Sequence, residues 1–219
     1  MSVTLNATSA RCHPYVSDVL IFLSLSYQAL APLLGKKPHR EPIRITLACR
    51  AASIDLNMAA QGHLAAAMSG DVPDIVAIQL VSKGPEPAVP TARGMKDLST
   101  RLLCAMFGIF VERAVDWARR EYTTGYDKFP PVLNFCRVVR NATVHGGTIN
   151  INSPNAPTVS WRGLTYNYND AGRSIINTGD LSGGDLILLM LELEEELNLI
   201  GAPFDLGWRR TKNAPHSLA

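Results

Sequence analysis

Arg137-Val138-Val139-Arg140-Asn141-Ala142-Thr143-Val144-His145-Gly146-Gly147 is the stretch around which this chain is organised. It reads as the last turns of an amphipathic helix stopped by two glycines. At about 100° per residue, Val132, Phe135, Cys136, Val139, Ala142 and Thr143 fall within about 120° and form a core stripe. Asn134, Arg137, Asn141 and His145 fall within about 80° on the opposite side, with Arg140 at the edge between the two. Asn141 and His145 are one helical turn apart, so their side chains are neighbours on one surface. Arg can fork onto phosphate oxygens, Asn can orient a hydroxyl, and His can move a proton near neutral pH. An Arg-Asn-x-x-x-His string facing away from a core has the chemistry of a phosphodiester site.

A plainer reading stands beside this one. A histidine near a helix C-terminus is favoured by the helix dipole, and glycine after it is an ordinary stop. That explains His145-Gly146 without any function. It leaves unexplained why Asn134, Arg137, Arg140 and Asn141 arrive together beside a well-formed core stripe.

Arg140 through His145 match the R-x-x-x-x-H motif of the HEPN superfamily, in the form with Asn directly after the Arg, and over about residues 95–200 the chain resembles that family. The resemblance implies a mainly α fold: a HEPN-like helical bundle with, in this chain, a small β-hairpin inserted after the motif helix. It also implies a metal-independent endoribonuclease, a toxin or phage-defence effector, with Arg140, Asn141 and His145 as catalytic residues. Asn134 and Arg137 would bind RNA or support the site. In such a family the site is composite at a homodimer interface, and an antitoxin or regulatory partner is implied. Some HEPN toxins carry a tyrosine two residues after the motif histidine as a modification target; Gly147 stands there in this chain. Family members without nuclease activity exist, so the alternative is a non-catalytic HEPN dimer serving as a binding or scaffolding module.

Composition bounds these expectations. A chain of 219 residues, 47% hydrophobic and 18% charged, is globular and large enough for a sizeable core. Its net charge of +2 supplies no bulk attraction to nucleic acid, so any RNA contact is local. The four cysteines are scattered with no C-x-x-C pair, which excludes a zinc ribbon or thioredoxin-type motif. Cys104 and Cys136 sit in apolar helical patterns and read as buried free thiols, as a reducing cytoplasm permits. No metal or cofactor is expected.

Outward from the motif, Met95–Tyr122 is the longest helical pattern, with Leu98, Leu102, Ile109, Phe110 and Trp117 recurring at three and four. Asp97 suits its start and Arg119-Arg120 its end. Pro130-Pro131 opens the motif helix. After Gly147 the residues 148–152 and 158–161 alternate around a Ser-Pro-Asn-Ala-Pro turn, which predicts a hairpin within about 148–168. Leu181–Leu199 is a further helix, capped by Asp180 or Ser182 and stopped by Gly201 and Pro203. Its Glu192 and Glu194-Glu195-Glu196 point around the helix and read as a solvated face, not a metal cluster.

Residues 1–90 lie outside the resemblance and read as a helical extension: a loose start, a helix over about 16–34 and another over about 51–68. Asp18, Ser24 and Ser26 weaken a secretory-signal reading of the first, and its apolar run is too short to span a membrane. Gly35–Pro42 reads as a basic solvated linker, and His63 has no partner at ligand spacing. The proline-rich Ser82–Pro90 marks the boundary to a core over 91–201, followed by a basic tail over 202–219.

Overall fold

The computed structural model describes the chain over residues 93–122, 125–176 and 179–202, the backbone of 43–49, 53–58 and 76–81, and Tyr15, Val16, Val19, Phe22, Leu23 and Ser26. The loose start, the basic linker, His63, the proline-rich boundary and the tail from residue 203 lie outside the described residues. So do the later parts of the two helices expected over 16–34 and 51–68.

Helices predominate, as expected. Helix α1 spans Arg93–Glu121, α2 spans Pro131–Val144 and α3 spans Gly183–Leu199. Helix α1 begins earlier than its apolar repeat, so Asp97 is not in its first turn, while Arg119 and Arg120 do sit in the last. Pro130 caps α2 and Pro131 occupies its first turn, where the missing N–H costs nothing. Ser182 caps α3 in a reciprocal capping box with Asp185. Asp180, the other candidate cap, is instead buried, accepts from the Tyr166 hydroxyl and pairs with Arg173.

Helix α2 is the centre of the core and packs against both α1 and α3. Its first three turns are enclosed almost all round, because Leu133, Asn134 and Val138 are buried along with Phe135, Cys136 and Val139. On α1 the buried stripe is Leu103, Phe107, Phe110, Val111, Ala114 and Ala118. Leu98, Leu102 and Ile109, which carry the apolar repeat in the sequence, are exposed. Both faces of α1 are apolar, so periodicity alone could not choose between them.

Among the described residues between α2 and α3 there is no α-helix, only the 3-10 turn Tyr168–Asp170, and the hairpin is there in a shifted register. Strands β4 (Val159–Trp161) and β5 (Leu164–Tyr166) pair across a tight turn in which Arg162 has φ 43 and Gly163 φ 83. Two consecutive positive φ values match the twist that a two-residue hairpin needs. The stretch 148–152, expected as the partner of β4, pairs elsewhere: Thr148 bridges Ser174, and Ile149 exchanges bonds with Arg173 and Gly172. The inward hairpin residues Val159, Trp161, Leu164 and Tyr166 are buried, and Phe135 packs on both Trp161 and Tyr166 with ring centroids 5.7 and 5.2 Å away.

One expectation for the first ninety residues is corrected. The helix expected from residue 51 is replaced at its start by strand Ser53–Met58 (β2), the middle of an antiparallel sheet with Ile43–Ala48 (β1) and Val76–Val81 (β3). The alternation Ser-Ile-Asp-Leu-Asn-Met has the period of a strand, and the alanine-rich run that follows it had masked that signal. Tyr15, Val16, Val19 and Cys49 belong to the same buried cluster as the helices, and the Tyr15 ring stacks on Phe110 at 4.6 Å.

Three glutamates of α3 hold this arrangement together. Glu192 accepts from Trp161 Nε1 at 2.7 Å and pairs with Arg162 beside the hairpin turn. Glu194 is 3% exposed and accepts the backbone N–H groups of Tyr15 and Val16. Glu196 accepts those of Val132 and Leu133 at the open end of α2. Three of the four carboxylates in this acidic run are therefore anchors and not part of a solvated face. Residues two apart on a helix diverge by about 200°, and here each direction meets a different element. No described helix is long and apolar enough to cross a membrane.

Candidate functional site

The end of α2 is built by a glycine stop. His145 is the C-cap, its N–H bonded to the carbonyls of Asn141 and Ala142. Gly146 and Gly147 take φ of 70 and 88, and the Gly147 N–H returns to the Ala142 carbonyl at 2.8 Å. That is the six-to-one bond of a Schellman stop. At Gly147 the positive φ is joined by crowding, since a Cβ there would lie 3.1 Å from Cβ of Ile176. The turn thus presents His145 at a fixed place on the surface.

Three of the five residues expected in the site meet at this end. Arg140 is half-buried; its Nη1 donates to Asn141 Oδ1 at 3.3 Å and its Nη2 lies 2.8 Å from Glu112 Oε2. His145 is exposed, and among the described residues its imidazole has no hydrogen-bond partner. Val144 beside it is 60% exposed, an unusual position for a valine on a helix this apolar.

The other two residues are committed elsewhere. Asn134 is buried and donates to the Tyr126 carbonyl at 2.8 Å, while its Oδ1 accepts from Arg137 Nε. The Arg137 guanidinium lies 4.2 Å over the Tyr126 ring, and burial pushes its pKa down. Both side chains pin the short 3-10 turn Tyr126–Lys128 onto α2. The polar face read along the helix is continuous in sequence, but this turn covers its first half.

Glu112 was not expected in the site. It sits on α1 beside Arg113, and nothing in its spacing shows that it reaches Arg140 across two helices. Between α1 and the end of α2 runs an open groove of about 860 Å³, walled by Arg101, Glu112 and Arg113 on one side and by Arg140, Thr143 and Val144 on the other. Cys104 also faces it; burial raises its thiol pKa, as it does more strongly for Cys136. Both remain thiols near neutral pH, and neither they nor Cys49 form a disulfide. Among the described residues no three His, Cys, Asp or Glu side chains gather as a metal site.

No protein-family model, curated protein or solved structure matches this chain.

Proposed function

We propose that the chain is a metal-independent endoribonuclease of HEPN type, acting as a toxin or phage-defence effector, with Arg140, Asn141 and His145 as its catalytic residues. The observation that carries this reading is the exposed imidazole of His145, bonded to no described residue, one turn beyond the Arg140–Asn141 pair. In the reaction the ribose 2′-oxygen attacks phosphorus and the bond to the 5′-oxygen breaks. His145 takes the proton from the 2′-hydroxyl or gives one to the leaving 5′-oxygen. Arg140 stabilises the added charge on the pentacoordinate phosphorus, and Asn141 positions the phosphate or the imidazole.

One histidine per chain would have to serve two proton transfers, and the reading includes a homodimer that brings two α2 ends, and so two imidazoles, together about a two-fold axis. The exposed apolar residues Leu98 and Leu102 on α1, outside the groove lining, support a self-association surface. Light scattering is expected to give a dimer at micromolar concentration; a monomer there would remove this part of the reading.

The second reading, a non-catalytic dimer used for binding or scaffolding, draws on the ion pair between Arg140 and Glu112, which neutralises the guanidinium that catalysis needs. Product chemistry separates the two. Purified protein incubated with mixed RNA in EDTA is expected to leave 2′,3′-cyclic phosphate ends, and 2′-deoxy substitution at the scissile nucleotide to block the cut. Intact RNA would favour the binding module.

A further inference from the structure

We propose that the groove between α1 and the end of α2 receives one nucleotide of an RNA strand, with Gly108 admitting the base and Arg101 holding an adjoining phosphate. In this proposal Glu112 acts as the internal anion that the strand displaces from Arg140. The choice of RNA as occupant rests on the ribonuclease reading above; the groove itself does not.

Gly108 carries the argument. It lies in the middle of a 29-residue helix, where glycine is the least favourable residue after proline. Its φ is not positive, and a Cβ built on it would meet nothing within 4 Å. Neither backbone conformation nor packing among the described residues therefore calls for glycine. A glycine kept bare over open space suits a flat ligand lying close against the backbone.

The surroundings match a nucleotide. The aliphatic faces of Ile109 and Val144, 50% and 60% exposed, flank the opening and can sandwich a base. Arg101 is exposed at one end and pairs with no described residue. Arg140 stands across the groove, held by Glu112, whose carboxylate occupies the place a phosphate oxygen would take. The volume of about 860 Å³ is in the range of about 300–1,000 Å³ typical of ligand sites.

The test is binding of a short fluorescein-labelled 2′-O-methyl RNA of mixed sequence, which no 2′-hydroxyl chemistry can cut. Gly108→Leu is expected to bind about tenfold or more weakly, the scale of one lost base contact. Its melting temperature should equal or exceed that of the wild type, because the new side chain enters open space in a helix. Arg101→Gln should reduce the slope of affinity against salt by about one ion. Glu112→Gln should bind more tightly than wild type. Wild-type affinity in Gly108→Leu and Arg101→Gln, or no binding by the wild type, would overturn the proposal. Binding with these responses but no cleavage of ordinary RNA would uphold the groove and remove the ribonuclease reading; cleavage with unaltered binding in the variants would do the reverse.

Discussion

Helix α3 and the end of α2 are both rich in ionisable groups, and they use them in opposite ways. On α3 each of Glu192, Glu194 and Glu196 ends on a donor from a different element, so charge is consumed in holding the fold. At the end of α2 the imidazole of His145 ends on no described residue, and Arg140 shares an acid that is itself partly exposed. A carboxylate that accepts two backbone N–H groups at a helix start is a structural device. A histidine fixed by its backbone while its ring stays in solvent is placed without its side chain being used by the fold.

The contrast breaks most readily on the α3 side. Glu194→Ala removes two charge-assisted bonds to buried backbone donors, on the order of 3 kcal/mol in all. Calorimetry should find a melting temperature lowered by on the order of 10 °C, and an unchanged value would mean that Glu194 is not an anchor. Glu192→Ala leaves the Trp161 N–H and the Arg162 guanidinium without their acceptor. The Glu192 carboxylate and the Arg162 guanidinium are closer to solvent than Glu194, so a smaller loss of roughly 1 kcal/mol is expected in denaturant titration. A loss as large as that of Glu194→Ala would show the hairpin to be as deeply tied as the amino-terminal segment.

Glu196 offers the smallest and most particular effect. Burial raises its carboxyl pKa above the ordinary glutamate value, against the lowering by the N–H groups of Leu133 and Val132. A raised folded-state pKa means that the native state binds the proton more tightly than the unfolded chain. The associated stability is present below the unfolded value and is lost as pH rises through the folded one. Wild-type stability measured relative to Glu196→Gln should therefore decline with rising pH in the window just above the ordinary glutamate range. A difference that grows with pH there would reverse the sign and refute the assignment.

Local signals in the sequence predicted what local physics determines. The prolines that open α2, the double glycine that stops it, and the Ser182 start of α3 are all legible from backbone chemistry. The same is true of the Arg140-Asn141-His145 grouping, since it lies within two turns of one helix. What was not legible depends on contacts far apart in sequence. Asn134 and Arg137 looked equivalent to Asn141 until the Tyr126–Lys128 turn is seen to cover them. Glu112 and Arg140 are separated by most of two helices, and the three glutamates of α3 reveal their roles only through their partners. The strand Ser53–Met58 belongs to a different class of miss, because its alternation was present and was outweighed by the alanines beyond it.

The most direct test of the account is the rate of RNA cleavage in EDTA by the wild type and His145→Ala at matched melting temperature. His145 has an exposed ring bonded to no described residue, so the variant should fold as the wild type does. Losing a general acid–base costs on the order of a hundred- to ten-thousand-fold in rate, so His145→Ala should be close to inactive while its melting curve is unchanged. Equal cleavage by the two proteins would contradict the claim that the end of α2 is held for chemistry.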